Sequence, residues 1–177
     1  MNRRQLLKWS ALSGVALAGA GYWALPTGPR PAALSLEGAQ QLLHELENTQ
    51  LVSIKGWSPL EVFNHCAQSI EYSISGYPQL KPEWFRKSVG PLAFDVFAAR
   101  GAMRHPLDEF IPGAAALDIP ATQALALKRL QQAFSDFAAH TGALKPHFAY
   151  GVLSHAEFAQ AHVMHLYNHM SLLRSAG

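Results

Sequence analysis

The sequence predicts an all-α fold, and three observations carry that prediction. Apolar residues recur at steps of three and four through most of the chain after residue 35, the period of a helix that buries one face. Ser58 with Glu61 and Ser154 with Glu157 have the Ser-x-x-Glu spacing in which a hydroxyl and a carboxylate satisfy the free N–H groups at a helix start. No run shows the strict apolar–polar alternation of a half-buried strand. The expected architecture is four or five antiparallel helices around one core. Some 150 residues are enough for one core, roughly the commonest domain size.

The elements follow in order. The first helix spans about 35–48, with Leu36, Ala39, Leu42, Leu43 and Leu46 on one side. The second starts at Ser58, where Pro59 suits the first turn. Its stripe is Leu60, Phe63, Ala67, Ile70 and Ile74, and Gly76-Tyr77-Pro78 ends it. A third helical stretch runs from Pro82 to about Met103, interrupted or kinked at Pro91. The segment 104–119 is irregular. A fourth helix starts at Pro120, with Asp118 as its cap, and ends near His140. The last runs from Ser154 to about Leu173. The two long connections, 104–119 and 141–153, are expected to line a pocket.

Residues 1–30 are read as a leader, set apart from a helical domain at 31–177. Arg3-Arg4, then Leu6-Leu7 and Lys8, precede a weakly hydrophobic stretch from Trp9 to Leu25 that includes Gly14, Gly19 and Gly21. This has the form of a twin-arginine export signal, with an ordinary Sec signal or a short membrane anchor as the competing reading. The expected partner is the twin-arginine export machinery. The expected location is periplasmic or extracytoplasmic, with an uncleaved leader anchored to the inner membrane as the variant case. The leader holds four of the 14 basic residues and no acidic one, so the chain from Pro31 carries 10 basic and 12 acidic residues. That domain is slightly acidic and has no basic block, which argues against nucleic-acid binding. The one cysteine, Cys66, cannot form an internal disulfide and is read as core packing.

Histidine supplies the chemistry. His162, His165 and His169 lie at steps of three and four, which places them on one stripe of the last helix. Two imidazoles four apart can grip one metal ion from one side, and a further ligand must come from another helix. His65, in the middle of the second helix, suits that role. The expected cofactor is a divalent transition metal: zinc, nickel or iron. His162 is open to several readings: fourth ligand, base beside the site, interior polar residue or partly exposed residue. Glu61 and Glu71, one to two turns from His65, are candidates to accept a hydrogen bond from a ligand's second nitrogen. The same spacing also suits histidines that simply occupy a helix face. A haem site is disfavoured, because no Cys-x-x-Cys-His motif occurs and a pair four apart cannot approach an iron from opposite faces.

Several landmarks occur together in order: Trp57-Ser58-Pro59, then Phe63-Asn64-His65-Cys66-Ala67-Gln68-Ser69-Ile70-Glu71-Tyr72-Ser73, then Gly76-Tyr77-Pro78. Ile111-Pro112-Gly113-Ala114-Ala115, Pro146-His147-Phe148, Gly151-Val152-Leu153-Ser154 and His165-Leu166-Tyr167-Asn168-His169 follow. With these the chain, from about 35 to 173, resembles the DinB-like superfamily of metal-binding four-helix bundles, and within it a bacterial branch described as a domain of unknown function. The resemblance implies an up-and-down four-helix bundle with an additional short N-terminal helix, and His65, His165 and His169 as the metal ligands. Asn168 stands where the branch often has another histidine, so a pocket contact there differs. His147 would pack near the pocket in a mainly structural role.

Some members of the superfamily are thiol transferases or isomerases that use small thiols. The resemblance therefore implies a metal-dependent transferase, or a hydrolase with the same ligands, acting on a small molecule. Low-molecular-weight thiols are less expected outside the cytoplasm, which counts against thiol transfer here. The competing expectations are a non-catalytic metal- or small-ligand-binding protein of the cell envelope, and a purely structural bundle. A homodimer through one bundle face is also compatible with the sequence.

Overall fold

The computed structural model describes residues 35–117 and 122–176. The leader and the expected Asp118 cap lie outside the described residues. The elements run α1 (Leu36–Glu45), β1 (Leu51–Ser53), α2 (Pro59–Ser75), α3 (Glu83–Lys87), α4 (Val89–Arg100), α5 (Gln123–Ala139), α6 (His155–Met170) and β2 (Leu173–Ser175). The fold is an all-α bundle in which α2 packs along α5 and α6, α1 closes over α5 and α6, and α4 lies against α6.

Both expected capping boxes are present. Ser58 and Ser154 accept from the N–H of Glu61 and Glu157, and each glutamate accepts from the backbone N–H of its serine. Ser35 and Thr122 cap α1 and α5, so α5 begins later than the sequence pattern suggested. The break in the third stretch falls at Ser88, not Pro91. Pro91 sits in the first turn of α4, where a missing N–H removes no helical bond. α6 stops at Met170 because the chain turns and extends into β2. That strand pairs antiparallel with β1, Leu51 opposite Ser175 and Ser53 opposite Leu173. Gln123 ties this ladder to α5, accepting from the Leu51 N–H at 3.0 Å and donating to the Thr49 carbonyl at 2.7 Å.

The core is built from Phe63, Ile70, Leu130, Phe134, Phe137, Phe158, Val163, Met164 and Leu166. α2 is more enclosed than its apolar stripe predicts: every residue from Val62 to Ile70 is buried. Most of its buried polar groups find partners, the exceptions among the described residues being His65 Nδ1 and Gln68 Oε1. Asn64 donates to the Leu60 carbonyl at 2.8 Å and accepts from Arg129 Nη1 at 2.8 Å. Gln68 donates to the Ala115 carbonyl, and Ser69 offers its carbonyl to the Tyr77 hydroxyl. Cys66 is buried, and burial pushes its thiol up, which fits packing rather than reactivity. At Gly90 the 147–151 turn comes so close that a Cβ would meet the Ala149 carbonyl oxygen at 1.9 Å. That contact, with the Lys145 N–H on the Ser73 carbonyl, pins the 141–153 connection to the bundle.

Arg129 joins α5 to α2 by a bidentate pair with Glu71 and by its bond to Asn64. The Arg129–Glu71 pair is partly exposed, so solvent screens it to about 1 kcal/mol or less. Asn64 is fully buried, and an orphaned carbonyl oxygen there costs about 1–3 kcal/mol. Arg129→Met is therefore expected to lower the urea unfolding free energy by about 1–3 kcal/mol, and Glu71→Gln by less than about 1 kcal/mol. Equal losses in the two variants would place the stabilisation in the ion pair instead.

Candidate metal centre

α2 and α6 cross so that three imidazoles meet. His65 Nε2 lies 3.2 Å from His165 Nε2, and His169 Nε2 lies 3.1 Å from the same atom. One donor atom from each of the three falls within 4.8 Å of the others. His165 and His169 share a face of α6 because four residues make just over one turn. His65 and His169 are 3% and 0% exposed, while His165 is half-buried and turns toward a cavity. Trp57 walls the cluster, edge-on to His65 at 4.9 Å and stacked on His169 at 6.0 Å between ring centres.

Burial sets the protonation state. Desolvation, aided by nearby His105, pushes His65 down to about 3. Desolvation, then the proximity of His65 and His105, pushes His169 down to about 2. His165 is held well below the ordinary histidine value by burial and then by His169. All three rings are thus neutral at pH 7, the form in which imidazole carries a free lone pair. Bonds of 2.0–2.1 Å to a tetrahedral centre place neighbouring nitrogens about 3.3 Å apart. The two observed separations fit that requirement. Nδ1 of His65 and of His169 are buried without a hydrogen-bond partner among the described residues.

The other sequence candidates lie elsewhere. Glu61 and Glu71, expected to steady a histidine's second nitrogen, are both engaged: Glu61 in the Ser58 capping box and Glu71 on Arg129. His162 lies outside the group of three whose donor atoms converge. It is an interior polar residue whose Nε2 donates to Ser73 Oγ at 3.2 Å, between Phe137 and Phe158. Ser73 Oγ donates in turn to the Ile70 carbonyl, so its lone pair is free to accept. His147 holds its own loop: Nδ1 accepts from the Ala149 and Tyr150 N–H groups, each at 3.1 Å, and the ring stacks on Tyr150. Asn168 lies on the wall of a large cleft with its amide nitrogen buried and unpartnered among the described residues.

Two cavities flank the cluster. One of about 230 Å³ is lined by His65, His165, Ser69, Phe110, Ile111 and Tyr150, among others. The other, about 850 Å³, runs past Met103, Tyr167 and Asn168. His105 borders both. Its ring centre is 5.0 Å from those of His165 and His169, and the sequence reading missed it. It sits in an irregular stretch where no helical spacing marks it. The only available signal was a metal-ligating residue type in a connection already expected to line the pocket. Both long connections do contribute to the smaller cavity.

The comparisons with known proteins bear on this arrangement. A family model described as a protein of unknown function, DUF1569, matches residues 33–176. The chain belongs to that family. The match takes in both helices of the histidine cluster and both pocket-lining connections. No curated protein and no solved structure matches the chain.

His162 generates a pH prediction. Burial, then nearby His155, pushes it from 6.5 to about 3 in the folded state. Between those values the unfolded chain binds a proton that the folded chain excludes. Its contribution to stability is therefore full above pH 6.5 and is lost as pH falls toward 3, by about 1.4 kcal/mol per unit. Over pH 7 to 5, the wild type should lose about 2 kcal/mol more unfolding free energy than His162→Gln. Parallel pH profiles in urea titrations would show that His162 is not held neutral.

Proposed function

We propose that this chain is an exported, DinB-like helical-bundle protein that holds one divalent transition-metal ion on His65, His165 and His169. On this reading a small-molecule pocket opens onto the ion. The observation that carries the reading is the convergence of three neutral Nε2 atoms from two helices beside a cavity. A chance cluster would leave buried imidazoles competing for too few protons and acceptors, at about 1–3 kcal/mol for each unsatisfied group. An ion satisfies all three lone pairs at once. Nitrogen donors suit zinc, nickel and iron.

Three neutral donors leave the ion's double charge uncompensated, so the molecule that completes the site is an anion, or a group that becomes one by losing a proton. When bound, the ion supplies Lewis acidity toward an oxygen or sulfur atom of that molecule. The chain's own residues orient it: His65 and His165 face the smaller cavity, and Phe110, Ile111 and Tyr150 shape a space for a small substrate. This supports a metal-dependent transferase or hydrolase. A non-catalytic metal- or small-ligand-binding role in the cell envelope has its own supporting observation. Glu61 and Glu71 are committed to structural bonds and are not placed as bases, so Glu109 is the carboxylate left beside the smaller cavity among the described residues. The Arg3-Arg4 leader supports export before either role is exercised.

Metal analysis of protein purified through its native export route tests the centre. The parent should retain about one equivalent of a transition metal, and a folded His165→Ala, His169→Ala variant should retain none. A metal-free parent that also takes up no zinc or nickel would defeat the metal reading. Replacing Arg3 and Arg4 by lysine should trap the protein in the cytoplasm, and unimpaired export of that variant would defeat the twin-arginine assignment.

A further inference from the structure

His105 has three properties that a ligand needs and that the described triad does not fully share. Its Nδ1 lies 2.6 Å from the Pro106 carbonyl, to which it donates. That bond fixes the tautomer and leaves the lone pair on Nε2. A carbonyl on the distal nitrogen is the usual way a metal-bound histidine is oriented. His65 and His169 lack such a bond among the described residues. Second, His105 Nε2 is buried and has no hydrogen-bond partner among the described residues, so its lone pair is unanswered. Third, its ring is as near to its neighbours as the triad rings are to one another. The His105 separations are both 5.0 Å, and those within the triad are 4.7–5.0 Å.

We propose that His105 is a fourth nitrogen donor to the centre, brought onto it by inward movement of the 101–117 connection. This rests on the metal reading of the triad. Movement is required because the group of donors that all lie within 4.8 Å of one another contains the triad and not His105. The connection starts at Gly101, in the left-handed region at φ 63°, a turn that glycine makes without strain.

His105 stands between the two cavities, so a donor there also controls access. With the imidazole bound, the cavity-side position is filled. With it withdrawn, the position is open to an anionic small molecule. The fourth ligand is thus exchangeable, which reconciles a filled resting site with a pocket that reaches His65 and His165.

Cobalt(II) titration of the full chain tests this, using wild type, His105→Ala and His105→Cys, with circular dichroism to establish that each is folded. Wild type should bind one cobalt ion. His105→Ala should bind about tenfold to a hundredfold more weakly, with displaced visible bands. His105→Cys should show a strong near-ultraviolet thiolate-to-cobalt band that wild type lacks, since a side chain outside the coordination sphere cannot produce one. Unchanged affinity and visible spectrum in His105→Ala, with no such band in His105→Cys, would overturn the proposal and leave the triad standing. Failure of wild type to bind cobalt at all would overturn the triad reading and this one with it.

Discussion

The enclosure of α2 is the constraint on which the rest of the structure depends. A helix buried from Val62 to Ile70 cannot leave its polar groups to water. Each must be answered by a neighbouring element, and the answers organise the bundle. Arg129 reaches from α5 to Asn64, the 104–117 connection meets Gln68 through the Ala115 carbonyl, and Tyr77 folds back onto Ser69. His65 is the member of this set whose ring meets only other imidazoles through Nε2. The same burial that makes the core cohesive strips that ring of its proton and leaves a lone pair in a dry place.

The buried histidines divide by what surrounds their nitrogens. His162 and His147 are satisfied by a hydroxyl and by backbone N–H groups, and they hold α6 to α2 and close the 147–151 turn. His65, His165 and His169 face one another instead. Desolvation acts on both groups alike, so low basicity does not distinguish structure from function here. The distinction lies in what the nitrogens meet: in the second group the Nε2 atoms meet only other imidazoles, and Nδ1 of His65 and of His169 has no partner among the described residues. By that criterion His105 belongs with the second group, although it comes from a loop rather than a helix.

The family match covers all the histidines so divided and does not decide what the centre does. It spans the helices and connections that build the cluster and its cavities, so cluster and pocket belong to one unit. The smaller cavity reaches His65 and His165, and Glu109 and Lys81 share its lining.

Helix content, both capping boxes and the pairing of His65 with His165 and His169 were legible in the sequence. They follow from local rules: a period of 3.6, the reach of a serine to the third residue, and one turn between positions four apart. The same rules could not say which partner a long side chain would choose. Glu61 and Glu71 stood at suitable distances along α2, yet a cap and an arginine from α5 claimed them. Nor could they foresee that 173–175 would leave the helix to pair with 51–53, or that His105 would arrive beside the triad. Periodicity and capping are properties of neighbours in the chain, so the sequence by itself determined the helices and the stripe of histidines. Strand pairing, ion-pair choice and the fourth imidazole depend on segments far apart in the chain, so only the tertiary structure decided them.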